Sequence, residues 1–154
     1  MLKNGRQAPN FTLNATPDQQ LSLSEFIGKK VILVFYPADW SAVCGSELAI
    51  INTSVALLEK YNAVVLGISV DSKWSHKAFS EKQQLRFPLL SDFEPKGAVS
   101  QLYDVYNQQQ GYSKRAIYII DENGVIQWSY LPPDEINPGV DGVLEALDKL
   151  ATES

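Results

Sequence analysis

Cysteine is almost missing from this chain: Cys44 stands alone among 154 residues. A lone thiol closes no internal disulfide, so a disulfide-stapled scaffold is excluded. Histidine is equally scarce, with only His76. One Cys and one His cannot supply the four ligands of a structural zinc site, and no metal is expected. Positive charge is in the minority, with 13 Lys and Arg against 18 Asp and Glu and a formal net charge of −5. Without a basic run there is no footprint for nucleic acid. No apolar stretch reaches the ~18 residues of a membrane span. The opening MLKNGRQAPNF lacks the apolar core of a secretory signal. These absences lead us to expect a cytoplasmic protein that binds neither nucleic acid nor membrane and whose thiol is kept reduced.

What is present is an ordinary globular composition, 45% hydrophobic and 20% charged, in a length suited to one domain over residues 1–154. Pro9 keeps Ala8 out of helix, so the start reads as an extended lead-in. Phe11-Thr12-Leu13 suggests a short edge strand, and Leu21 to Gly28 a single helical turn ended by glycine. Lys30 to Tyr36 is an unbroken apolar run rich in β-branched and aromatic residues, the pattern of a strand covered on both faces. From Ala42 to Lys60 the spacing of Leu48, Ile51, Val55 and Leu58 predicts one long helix. Ala63 to Val70 predicts a second buried strand, followed by a helix over Lys73 to Gln83 that either Asp71 or Ser72 can cap. Phe87 to Leu90 reads as extended, and Lys96 to Tyr103 as a short helix. Ala116 to Ile120 and Val125 to Leu131 flank an Asn123-Gly124 hairpin signal. Pro132-Pro133 ends the second of these strands, and a last helix covers Val140 to Ala151. The order β-α-β-α, then β-β-α, predicts an α/β fold with a mixed central sheet flanked by helices, on the thioredoxin-like plan.

Cys44 falls in the first turn of the predicted long helix, just after a strand and a turn at Pro37. A helix N-terminus carries partial positive charge and unpaired N–H groups, which favour a thiolate, the reactive form of cysteine. The segment Tyr36-Pro37-Ala38-Asp39-Trp40-Ser41-Ala42-Val43-Cys44 resembles the active-site loop of peroxiredoxins: a proline, a Ser or Thr four residues on, and the cysteine three after that. The similarity continues through Gly5 with Ala8-Pro9 and Phe11-Thr12-Leu13, through Ser69-Val70-Asp71-Ser72 with Ser75-His76, through Phe87 to Asp92, and through Lys114 to Asp121. It spans essentially the whole chain. Within the family it looks most like the one-cysteine alkyl hydroperoxide reductase E type, with the bacterioferritin-comigratory type next.

The resemblance implies a thiol-dependent peroxidase that needs no cofactor and reduces hydrogen peroxide, organic hydroperoxides and, by extension, peroxynitrite. Cys44 is then the nucleophile. Arg115 is implied as the guanidinium that favours the thiolate and donates to the peroxide. Ser41 can accept from the peroxide and donate back, although alone it would read as a helix cap. Backbone N–H groups at Val43 and Cys44 would serve as fixed donors. Pro37 has no N–H and stiffens the loop. Two readings of Glu47 stay open: it orients the arginine, or it favours the helix N-terminus. Tyr36 and Trp40 either border the substrate or, for Tyr36, pack in the core. His76 is expected on a helix surface, without a catalytic role, and Trp74 and Trp128 as packing or interface aromatics.

Many relatives carry a second, resolving cysteine, and this chain has none. Its sulfenic acid must then be met by an external thiol reductant: a low-molecular-weight thiol, a glutaredoxin- or mycoredoxin-like protein, or thioredoxin. Gly45 stands where many relatives have proline, which affects how easily the helix turn unwinds. A homodimer through surfaces near the active site is implied. The competing reading is a redox-sensing or binding module in which Cys44 oxidation is a signal. A thiol–disulfide oxidoreductase is disfavoured, because Glu47 occupies the second position of a Cys-x-x-Cys pattern.

Overall fold

A computed structural model describes residues 1–132 and 140–153. Pro133, expected to help end the last strand, lies outside them. In chain order, β1 (Thr12–Thr16) and β2 (Gln19–Ser22) form a hairpin, and a 3-10 turn at Leu23–Phe26 leads to β3 (Lys30–Phe35). Helices α1 (Ala42–Thr53) and α2 (Val55–Glu59) return the chain to β4 (Ala63–Ser69), and α3 (Lys73–Gln83) to β5 (Leu89–Ser91). Then come α4 (Ala98–Leu102), a small hairpin of β6 (Tyr106–Asn107) and β7 (Tyr112–Ser113), the pair β8 (Ala116–Ile120) and β9 (Ile126–Tyr130), and α5 (Asp141–Glu153).

One sheet orders its strands β2-β1-β5-β4-β3-β8-β9. The central strands β3, β4 and β5 run parallel, and β8 is antiparallel to β3. Alternation along β3 divides the core in two. Val31, Leu33 and Phe35 join the aromatic cluster of Tyr103, Tyr118 and Phe11. Ile32, Val34 and Tyr36 face Leu48 and Ile51 of α1, Phe79 of α3 and Leu147 of α5. Both faces are covered, which is why the strand sequences are apolar without interruption. The mixed sheet between helices is the predicted α/β, thioredoxin-like arrangement.

Several local expectations change. Phe11-Thr12-Leu13 was expected at an edge, but β1 lies between β2 and β5, and β2 is the edge. Leu21 and Ser22 belong to β2, so the helical turn begins only at Leu23. The long helix from Ala42 to Lys60 is broken at Ser54. There the Thr53 and Ser54 hydroxyls both donate to the Ile50 carbonyl, at 2.8 and 3.2 Å. Such back-bonding competes with the helical ladder and bends it. Of the two candidate caps for α3, Ser72 is used, its Oγ accepting from Ser75 N–H at 3.1 Å.

The parallel strands place their C-terminal ends, and the loops that follow, at one end of the sheet. Ligands of open α/β sheets gather at such ends. The β3–β8 register pairs Phe35 with Ala116, so Arg115 enters the sheet where the chain leaves for the Cys44 loop. Leu48, fully buried one turn beyond Cys44, anchors α1 on this sheet. Leu48→Ala is expected to cost about 2–5 kcal/mol, read as a lower urea midpoint with an unchanged m-value.

Candidate active site

Cys44 is the third residue of α1 and is fully buried. Ser41 is the N-cap: it is extended, and its Oγ accepts from Cys44 N–H at 3.5 Å. Its carbonyl accepts from Gly45 N–H at 2.9 Å, closing the first helical turn. The cap reading of Ser41 is therefore part of its role whatever else the hydroxyl does. The Cys44 N–H is turned to Ser41. The Val43 N–H has no hydrogen-bond partner among the described residues and remains a donor at the helix start.

Arg115 reaches this turn from the start of β8. Its Nη1 donates to Cys44 Sγ at 3.3 Å and to Glu47 Oε2 at 2.7 Å. Arg115 is 2% exposed and Glu47 is fully covered. Cys44 and Glu47 are three residues apart, so they lie on one helix face and one guanidinium serves both. Of the two readings of Glu47, the arginine partner is the one seen. Burial pushes its carboxyl up to about 7, against the pull of the Arg115 hydrogen bond and charge. Its Oε1 has no hydrogen-bond partner among the described residues.

The structure thus brings together Cys44, Ser41, Glu47 and Arg115. Pro37 and Val43 are partly buried in the loop and first turn that carry them. Tyr36 does not join this group through its hydroxyl, although its ring shares the core with Cys44. The hydroxyl donates to Asp39 Oδ1 at 2.6 Å, and the side chain is fully buried. Of the two readings of Tyr36, packing in the core is the one seen. Trp40 is 60% exposed, its ring edge-on to Phe79 with centroids 5.1 Å apart. Trp128 stacks on Tyr130.

His76 was expected on a helix surface and is instead 2% exposed. It shares the inner face of α3 with Phe79, three residues on. Its Nε2 lies 3.0 Å from the Leu90 carbonyl and its Nδ1 2.9 Å from both carboxylate oxygens of Asp39. The sequence reading missed Asp39 altogether. Its signal was available: it is the one charged residue between Tyr36 and Glu47, in a loop that leaves a buried strand.

The sequence profile of the AhpC/TSA family matches residues 4–129. A Mycobacterium bovis alkyl hydroperoxide reductase E is 37% identical over 138 residues, covering 88% of this chain and 90% of that one. A chloroplastic 2-Cys peroxiredoxin of Hordeum vulgare is 38% identical, covering 95% of this chain and 74% of that one. Among solved structures, a reduced 2-Cys peroxiredoxin of Plasmodium vivax superposes with a TM-score of 0.89 at 31% identity, covering 97% of this chain and 82% of that one.

The raised Glu47 carboxyl has a measurable consequence. Between the ordinary carboxylate value of 4.5 and about 7, an unfolded chain has released this proton while the folded one keeps it. Stability therefore falls as pH rises through that window, and levels off above it. In Glu47→Gln this contribution is absent. Urea titrations across the window are expected to show wild type losing stability relative to the variant up to about pH 7, after which the difference is constant.

Proposed function

Taking as premise that the chain belongs to the AhpC/TSA family of peroxiredoxins, and is a thiol-dependent peroxidase with a single cysteine, we propose that Cys44 meets the peroxide with Arg115, Ser41 and Pro37 as its assistants. The observation carrying this reading is the contact of Arg115 Nη1 with Cys44 Sγ, 3.3 Å, in a capped first helical turn.

The Cys44 thiolate attacks one oxygen of the hydroperoxide in line with the O–O bond. A sulfur–oxygen bond forms and the O–O bond breaks. The bonding pair leaves with the distal oxygen, which takes the proton released by the thiol and departs as water or an alcohol. Sulfur is oxidised to a sulfenic acid. Arg115 stands where it can donate both to the sulfur and to the oxygens on which charge develops. Glu47 holds the guanidinium plane in place. The Val43 N–H and the Ser41 hydroxyl supply further dipoles, and Pro37 stiffens the loop without adding a donor of its own. Hydrogen peroxide and organic hydroperoxides are the proposed substrates, with peroxynitrite as a further one.

The second half of the cycle needs an external thiol, which attacks the sulfenic sulfur, releases water and leaves a mixed disulfide that a second thiol reduces. A low-molecular-weight thiol, a glutaredoxin- or mycoredoxin-like protein, or thioredoxin would serve. Since Cys44 is fully covered, the first turn of α1 must open for that attack. Gly45 makes opening easier, because a glycine in a helix gains more freedom on unwinding than alanine does. We further propose a single domain, a cytoplasmic setting and a homodimer. Support for the dimer is the exposure of Trp40, Trp74 and Phe93, at 60, 64 and 52%, all following the C-terminal ends of the central strands.

Reduced protein mixed with less than one equivalent of hydroperoxide is expected to gain a single oxygen at Cys44, with a change in Trp fluorescence; equal reaction in Cys44→Ser would remove the assignment. Arg115→Ala is expected to slow that oxidation about 10²–10³-fold. Gly45→Ala, with open space around the added Cβ, is expected to stabilise the turn by roughly 0.5–1 kcal/mol. It should slow reduction of the sulfenic acid by a small thiol while leaving peroxide oxidation unchanged, as stopped-flow traces of the two half-reactions would show.

A further inference from the structure

A second buried polar group lies beside the Cys44 loop, and the peroxide chemistry described above makes no use of it. At its centre is Asp39, fully buried and midway along the loop between β3 and α1. Its Oδ1 accepts from Tyr36 Oη at 2.6 Å and its Oδ2 from Ser75 Oγ at 2.8 Å. His76 Nδ1 approaches both oxygens at 2.9 Å. The backbone N–H of Asp39 donates to Asp71 Oδ2 at 3.0 Å, and that same oxygen accepts from Ser69 Oγ at 2.5 Å. His76 Nε2 is tied to the Leu90 carbonyl at 3.0 Å. A single loop residue is thus fastened to the ends of β3, β4 and β5 and to the first turn of α3.

The proton count is set by the partners. A carbonyl only accepts, so Nε2 of His76 carries a hydrogen. An ionised carboxylate also only accepts, so the Nδ1 contact requires a second proton, on the ring or on the carboxyl. The Tyr36 hydroxyl keeps its own proton, since burial and then the charge of Asp39 hold it well above its ordinary range. Every polar side-chain atom of Asp39, Tyr36, Ser75 and His76 is accordingly engaged, and a satisfied buried network favours one arrangement. Elsewhere the loop is tied at its two ends, by Tyr36 N–H donating to the Ile68 carbonyl at 3.1 Å and by the Ser41 carbonyl accepting from Gly45 N–H at 2.9 Å, while the bond within it, from Ser41 N–H to the Ala38 carbonyl, is long at 3.4 Å.

We propose that Asp39, held by His76 and Ser75, is the positioning residue of the peroxide reaction: it fixes where the loop ends and α1 begins, and thereby where Cys44 and Ser41 sit relative to Arg115. Arg115 is brought in by the register of β8 on β3, and its guanidinium is then held by Glu47. The sulfur and the guanidinium arrive from different parts of the fold, and Asp39 holds the sulfur's side in register with the other. The inference rests on the assignment of Cys44 as the residue that meets peroxide. It concerns a residue that touches neither sulfur nor substrate.

The test compares two reactions of the same thiol in Asp39→Asn and Ser75→Ala. Oxidation by hydrogen peroxide requires sulfur, donors and guanidinium in register. Alkylation by iodoacetamide requires chiefly an accessible thiolate. Asp39→Asn is expected to lower the peroxide rate about 10- to 100-fold, the size of effect a displacement near 1 Å produces. Ser75→Ala, which removes one donor and keeps the His76 contact, is expected to lower it several-fold. In both, alkylation should hold its rate or rise. A residue that only stabilised the fold would lower the unfolding midpoint and leave the peroxide rate of the folded protein at the wild-type value, and that result would overturn the proposal. Peroxide and alkylation rates falling together would overturn it as well, because the effect would then lie in the thiolate itself. Should Asp39→Asn fail to fold, Ser75→Ala decides by the same comparison. Wild-type protein inert to hydroperoxide would overturn the peroxidase reading itself, whereas a reactive wild type matched by both variants would overturn only the role of Asp39.

Discussion

A guanidinium taken out of water needs a counter-charge, and Glu47 supplies it 2.7 Å from Arg115. The desolvation of each ion costs several kcal/mol, so removing one partner of such a pair leaves a large penalty. That constraint links otherwise separate parts of the fold. Arg115 is delivered by β8, whose register on β3 pairs Ala116 with Phe35. A slip of one residue would turn every β8 side chain to the other face. Glu47 is delivered by α1, whose rotational phase is set by the burial of Leu48 and Ile51. The two meet only if sheet register and helix phase are both correct. When they meet, Cys44, one turn before Glu47 on the same face, receives the other donation from the same nitrogen.

This arrangement is not best understood as a source of stability. A buried ion pair of this kind is weak evidence for stability, and a well-packed apolar substitute is often no worse. The raised carboxyl of Glu47 points the same way, since burial there outweighs the attraction of Arg115. What the pair supplies is direction. Arginine presents several donors in a rigid fork; once one nitrogen is held by Glu47, the position of the others is set before any peroxide arrives. Donors oriented in advance need no reorganisation when charge moves, which is where the largest electrostatic gains in catalysis arise.

How far this could be read from the amino-acid order depends on the range of the interactions. The strands β3, β4 and β8 were plain because each is an apolar run whose own composition demands burial on two faces. Ser41 as a cap, and Ser72 as one of two candidates beside Asp71, follow from their positions just before helical periodicity begins. By contrast, β2 is Gln-Gln-Leu-Ser and becomes a strand only because β1 offers it a partner, while β6 and β7 are two residues each. The break at Ser54 depends on two hydroxyls turning back to one carbonyl, which no apolar spacing records. His76 illustrates the same limit at the site. Its polar neighbours along α3 suggest solvent, and the residue that makes its burial tolerable, Asp39, lies 37 positions away in sequence. Arg115 and Cys44 are 71 apart, yet that pairing was legible, because the loop pattern around Cys44 and the segment from Lys114 to Asp121 both match a known family.

Two buried polar groups therefore bracket the reactive turn, Asp39 with His76 on the loop side and Glu47 with Arg115 on the helix side. Between them run Trp40 to Gly45, where two of the hydrogen bonds are long, 3.4 Å from Ser41 N–H to Ala38 and 3.5 Å from Cys44 N–H to Ser41, and one of ordinary length, Gly45 N–H to the Ser41 carbonyl at 2.9 Å, closes the turn. Firm brackets around a weakly held turn reconcile two opposed demands. Oxidation asks for a sulfur held against a fixed guanidinium, while recycling by an outside thiol asks for the same sulfur to be reached. Regions that open locally are drawn from those with few buried contacts and poor hydrogen bonding. An opening confined to this span would leave the Asp39 network and the Leu48 anchor in place, so the turn could close again on the same geometry. A chain with a second cysteine could reach the first with a segment of its own. This chain, with one, depends on how readily that short span yields to a partner.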